Sequence, residues 1–167
     1  DGRHVVFDNV RDFTWRSETD YDAHWVRRAY DLDQLRSADL VLSYWMGPAI
    51  AHTLISFGFE DGRHVVFSLE IRKERGESFS ALGGFFRRFE MTLVAAEETD
   101  IIRTRTNARG EDVYLYRLHG MDRAQLKELF AAYIAQAREL DAKPGFYNTL
   151  TSNCTTIVFD LARHIAP

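Results

Sequence analysis

The sequence predicts an α+β fold in which strands come first and a helical pair comes last. Three observations carry this. Seven short runs between His4 and Leu118 have strand character, through alternation or through enrichment in β-branched and aromatic residues. From Asp122 to Leu140 the apolar residues recur at the spacing of one helical face. A polar cluster, Thr151-Ser152-Asn153, then opens a second apolar-periodic helix, and the chain's one cysteine, Cys154, stands at its start.

In chain order the predicted strands are His4 to Phe7, Trp25 to Leu32, Leu40 to Trp45, His52 to Phe59, His64 to Ile71, Met91 to Ala95 and Val113 to Leu118. The heptapeptide Asp-Gly-Arg-His-Val-Val-Phe occurs at Asp1 to Phe7 and again at Asp61 to Phe67. A single short copy without a fixed period is no repeat architecture, and two similar edge-to-core strands account for it. Between Phe79 and Phe89 an aromatic, glycine-broken stretch reads as a loop or short helix, its rings core residues or a lipid-facing lip. The first predicted helix aligns Leu126, Leu129, Phe130, Tyr133, Ile134, Ala137 and Leu140 on one face, with Asp122 and Gln125 spaced as a capping box. Pro144-Gly145 stops it, and the last helix begins near Asn153.

At 167 residues the chain fits a single domain, 1–167. Its formal charge of -4 argues against a nucleic-acid partner, so the pairs Arg27-Arg28 and Arg87-Arg88 read as solvated faces. No stretch is apolar enough for a membrane span and no signal peptide is present; the abrupt start at Asp1-Gly2 leaves room for a segment upstream. One cysteine excludes an internal disulfide, and the histidines show no metal-ligand spacing. With no phosphate-binding loop or dinucleotide fingerprint either, no metal and no cofactor is expected.

The chemistry concentrates in a hairpin and a helix start. Ile55, Phe57 and Phe59 must share a face with Val65, Phe67, Leu69 and Ile71, which requires an odd loop length. Glu60-Asp61-Gly62 satisfies this, with Gly62 at the left-handed position. The register then sets Phe57 against Val65, Ile55 against Phe67, and His52 against Glu70, on a face shared with Ser56, Ser68 and Arg72. Directly opposed residues have Cβ atoms about 4.5 to 5.5 Å apart, near enough for a carboxylate to hold an imidazole. Such a His is fixed in tautomer and strengthened as a base; an exposed cross-strand ion pair is the plainer alternative.

On the last helix Cys154 shares a face with Ile157, Val158, Leu161 and Ile165. A thiol in a first helical turn is biased toward thiolate, though a free cysteine also serves as a small core residue. Asn153 caps this helix, and the Cys154 N–H is placed to donate to an oxyanion. Tyr147 and Asn148 are polar wall residues, or a core ring and a turn former. His4, His24, His64, His119 and His164 lack a comparable partner pattern and are read as structural.

The segments Ile50-Ala51-His52-Thr53-Leu54-Ile55-Ser56-Phe57-Gly58-Phe59, Phe67-Ser68-Leu69-Glu70-Ile71-Arg72-Lys73-Glu74 and Tyr147-Asn148-Thr149-Leu150-Thr151-Ser152-Asn153-Cys154-Thr155-Thr156 resemble the Lnb-type bacterial lipoprotein acyltransferase domain. Asn9-Val10-Arg11-Asp12-Phe13, Tyr30-Asp31-Leu32 and Tyr44-Trp45-Met46-Gly47-Pro48 extend the similarity over most of the chain. The order His, acid, Cys also resembles the circularly permuted, NlpC-like relatives of papain. The resemblance implies a permuted papain-like fold: an antiparallel sheet carries His and acid and packs on helices, with the Cys at a helix N-terminus. It implies Cys154 as nucleophile, His52 as base and Glu70 as orienting acid, although Ser68 or Arg72 could also lie close to His52. It further implies acyl transfer through a thioester, from a lipid-linked protein or phospholipid substrate to an amine, at a periplasmic membrane surface reached through an anchor outside this chain. The alternatives are a cysteine hydrolase of the same fold and a non-catalytic binding module. Trp45, Phe85, Phe86 and Phe89 are candidates to line an acyl path, or to pack the core.

Overall fold

A computed structural model of the protein describes residues 2–48, 50–72, 90–143, 145 and 160, for Arg72 the backbone alone. Its strands are β1 (His4–Arg11), β2 (Thr14–Trp15), β3 (Tyr21–Asp22), β4 (Trp25–Asp31), β5 (Leu35–Tyr44), β6 (Ala51–Phe59), β7 (His64–Arg72), β8 (Glu90–Ala96) and β9 (Asp112–Arg117). Among the described residues they are joined by α1 (Glu98–Arg103), which runs directly into a π-helix over Thr104–Ala108, and by α2 (Arg123–Ala142). The fold is α+β.

Seven strands form one sheet in the order β4-β1-β8-β7-β6-β5-β9, and β2 and β3 form a separate ribbon. All seven predicted strands are present, most of them longer than predicted. The sheet is mixed, however, and not wholly antiparallel, because β1 joins β8 in parallel at Arg11 and Ala96. Parallel neighbours need a long crossover, and the chain between β1 and β8 supplies one. Both copies of the heptapeptide enter the sheet, in β1 and β7. Each has a strand on either side, so neither is an edge strand.

The β6–β7 hairpin has the expected register. Phe57 faces Val65, Ile55 faces Phe67 and Leu54 faces Ser68. Its turn is closed by Phe59 N–H to Arg63 C=O at 3.0 Å, with Gly62 at φ 85°, a conformation that a Cβ would strain. The odd-numbered face carries the larger core. There α2 lays Leu126, Leu129, Phe130 and Tyr133 over the sheet. Phe130 meets Phe57 edge-on at 5.0 Å and Phe67 at 5.6 Å, and Tyr133 stacks on Phe67 at 5.5 Å. The capping box is present in both directions, each bond 2.9 Å.

The even-numbered face is also covered. Ile101 of α1 packs into Val41, Leu54, Val66 and Ala96, so β6 and β7 are buried on both sides over most of their length. Sequence reading leaves this stretch without a helix. Its two main apolar residues, Ile101 and Ile102, are adjacent and therefore show no helical period. The predicted last helix and the stretch from Phe79 to Phe89 lie outside the described residues, apart from Asp160, which is helical.

Candidate active site

His52 stands near the start of β6, and Ser68 and Glu70 lie on β7, all on the face that α1 covers. Continuing the observed register by two pairs sets His52 opposite Glu70. His52 Nε2 lies 3.5 Å from Glu70 Oε1. Ser68 stands between them, its Oγ 2.8 Å from His52 Nε2 and 2.6 Å from Glu70 Oε1, to which it donates. Ser68 is fully buried, whereas the Glu70 side chain keeps 31% of its surface exposed.

With Glu70 ionised, one proton arrangement fits those distances. An ionised carboxylate only accepts, so the single Ser68 proton goes to Glu70. The Ser68 oxygen then accepts from His52 Nε2–H; in the neutral ring the lone pair lies on Nδ1, and in the charged ring Nδ1 carries the second proton. Burial pushes the Glu70 carboxyl up. The hydrogen bond and charge of His52, the Arg105 guanidinium and the Ser68 hydroxyl outweigh burial and hold that carboxyl well below the usual carboxylate range.

Sequence reasoning brings His52, Ser68 and Glu70 together and misses a second layer. Arg105, from the π-helix, reaches Glu70 Oε1 with Nη2 at 3.0 Å and Glu111 Oε2 with Nη1 at 3.4 Å. Glu111 also accepts from Ser43 of β5, and Arg109 Nη1 lies 3.6 Å from its other oxygen. Arg105 is only 5% exposed, and its Nε is buried with no partner. Nothing in the sequence separates Arg105 from its solvated neighbours, since Glu70 arrives from a distant strand and Glu111 from a loop with no periodic pattern. Arg72, by contrast, pairs its backbone with Glu90, and its side chain lies outside the description. A cavity of about 330 Å³ opens beside Glu70, walled by Arg11, Arg105, Arg109 and Thr92 over a floor that includes Val94 and Ile101.

A second His–acid pair exists on the same face. His64 Nδ1 lies 3.8 Å from Glu98 Oε2, and Ser56 donates to Glu98 Oε1 at 2.6 Å. His64 therefore has a carboxylate partner that its sequence context did not suggest, supplied by α1. It has no hydroxyl bridge of the His52 kind among the described contacts.

Cys154, Asn153, Tyr147 and Asn148 lie outside the described residues, as do Phe85, Phe86 and Phe89. Trp45 is 45% exposed, in the turn that leads from β5 to β6 and His52. Met46 and Ile50 in the same turn are also exposed, as are Tyr114 and Tyr116 on the sheet face opposite His52. A cavity of about 380 Å³ lies there between Tyr44, Pro48, Asp112, Tyr114 and Tyr116. Among the described residues no group of three His, Cys, Asp or Glu is arranged to hold a metal ion. No described helix is long and apolar enough to cross a membrane.

The family model of the Lnb N-terminal periplasmic domain matches residues 21–167. No curated protein and no solved structure matches the chain.

Proposed function

The chain belongs to the Lnb N-terminal periplasmic domain family, and on that premise we propose that it is a cysteine acyltransferase in which Cys154 is the nucleophile, His52 the base and Glu70 the orienting acid. The observation that carries this reading is the held imidazole. His52 is fixed through Nε2 by Ser68 and Glu70, which leaves Nδ1 as the basic nitrogen. In this proposal the Cys154 thiol, at the helix start that the sequence predicts, meets that nitrogen and completes a permuted papain-like arrangement.

In the proposed reaction Nδ1 takes the Cys154 proton and the thiolate attacks an ester carbonyl. In this proposal the Cys154 N–H, at the helix start that the sequence predicts, donates to the developing oxyanion. Collapse breaks the ester C–O bond, forms the thioester and returns the proton from His52 to the departing alcohol oxygen. An amine then attacks the thioester and forms an amide; its proton passes to His52 and on to the released thiolate. Tyr147 and Asn148 line the approach.

The exposed Trp45, Met46, Ile50, Tyr114 and Tyr116 support a lipid-linked substrate, whether protein or phospholipid. A ring with one polar end suits a membrane surface, and Trp45 lies in the turn from which β6 leads to His52. The proposed working place is the periplasmic face of a membrane, reached through an anchor outside this chain.

The test is the rate of Cys154 alkylation against pH, in native protein, in His52→Ala and in the unfolded chain. The lone cysteine makes the signal specific. A thiolate titrating well below the reference of about 8.5, with the shift lost in His52→Ala, is expected. A thiol silent until unfolding, or indifferent to His52, overturns the reading. Product analysis then separates transfer from hydrolysis, as acylated amine against free acid.

A further inference from the structure

We propose that Arg105 is a positioning residue of this site, which sets the direction of the hydrogen-bond relay Glu70–Ser68–His52. The proposal rests on the reading of His52 as the base. Three groups converge on the one oxygen, Glu70 Oε1: Ser68 Oγ at 2.6 Å, Arg105 Nη2 at 3.0 Å and His52 Nε2 at 3.5 Å.

A relay through a hydroxyl has two polarities. With Glu70 ionised, Ser68 donates to it and accepts from His52 Nε2–H, and Nδ1 is left basic. With Glu70 protonated, the acid donates to Ser68, Ser68 is freed to donate to Nε2, and the ring proton moves to Nδ1. That tautomer cannot take a proton from a thiol at Nδ1. The charge on Glu70 therefore decides which nitrogen is the base.

His52 cannot hold Glu70 ionised by itself, because its own charge comes and goes as it takes and returns a proton. A guanidinium is permanently charged. Arg105 is also fixed from behind. Its Nη1 meets Glu111 at 3.4 Å, and Glu111 is gripped by Ser43 of β5. The fork thus spans two carboxylates and aims one arm at Glu70. The other described charges that line the Glu70 cavity are Arg11 and Arg109, with Asp100 and Glu111 paired behind them.

Arg105 is poorly explained as a stability device. It is 5% exposed with its Nε unpartnered, and an apolar residue of similar volume would fill the space without that penalty. It also stands on a π-helix, an irregularity that occurs often at functional sites.

The experiment reads the His52 tautomer directly, from ring ¹⁵N shifts in a Cys154→Ala background at a pH where imidazole is neutral. His52→Ala assigns the signal and thermal melting checks the fold. With Arg105 present, a single Nε2–H tautomer is expected. Arg105→Gln is expected to give a mixture of both tautomers, with no further change when Glu70→Gln is added. In Arg105→Lys the ammonium cannot span both carboxylates, and an intermediate mixture is expected. An unchanged tautomer in both variants, or an equal change with and without Glu70, overturns the proposal. A silent Cys154 thiol alongside an intact, Arg105-dependent tautomer would sink the cysteine-enzyme reading and leave the Arg105 role standing.

Discussion

His52 Nε2 and the Ser68 hydroxyl oxygen lie 2.8 Å apart, so the histidine meets its acid mainly through a buried serine. Ser68→Ala leaves only the 3.5 Å approach of His52 to Glu70, beyond hydrogen-bond range. The Cys154 alkylation rate at neutral pH is expected to fall about 10-fold or more, the usual effect of losing a group that orients a functional histidine. Little change in thermal midpoint is expected alongside. A rate equal to wild type would show that Ser68 is only filling space.

Glu70 links stability to pH. Its carboxyl is held below its ordinary value of 4.5 in the folded chain, so the unfolded chain binds the proton more readily. Its contribution is therefore complete above about pH 4.5 and is lost as pH falls toward the folded value. Urea unfolding at pH 7 and pH 3 should show a smaller acid loss in Glu70→Gln than in wild type. Equal losses would mean that Glu70 carries no such linkage.

Asp100 is fully buried and gathers donors from the first strands of the chain. It takes the Arg11 fork at 2.7 and 3.1 Å, the Phe13 N–H at 3.0 Å and the Trp15 indole N–H at 2.6 Å. Asp100→Ala strands a largely buried guanidinium and two N–H groups, and should destabilise by about 3–5 kcal/mol in urea unfolding. Trp15 fluorescence should report loosening of the β2–β3 ribbon. A loss below about 1 kcal/mol would contradict this anchoring role.

Phe130 is fully buried at the meeting of α2 with the sheet, where its ring touches Phe57 and Phe67. Phe130→Ala should lower stability by about 3–5 kcal/mol, since the surrounding rings cannot collapse into the space. Denaturant titration checks it, and a cost under about 1 kcal/mol would place the main core elsewhere.

The fold is legible in the sequence wherever a periodic pattern carries it. The Asp122 capping box and the heptad-spaced apolar residues after it specify α2, and loop parity together with Gly62 pairs His52 with Glu70. What is illegible depends on contacts between distant segments. The parallel join of Arg11 to Ala96 leaves no local trace. The helix at Ile101 is too short, and its apolar pair too close, to show a period. Arg105 therefore carries no mark in the sequence, although the π-helix that continues this helix brings it to Glu70. Ser68 was visible on the right face, but its place between base and acid required the short reach of a hydroxyl beside a longer carboxylate.

Because β6 and β7 are buried on both faces, local fluctuations have little access to their backbone amides. Exchange of those amides with solvent deuterium should require opening close to global unfolding, and they should be the slowest in the chain. The imidazole and its acid are thus mounted at the margin of the least yielding part of the molecule, each one residue beyond the last buried position of its strand. Substrate entry and release must then be accommodated by movement of what surrounds them, while the base itself stays still.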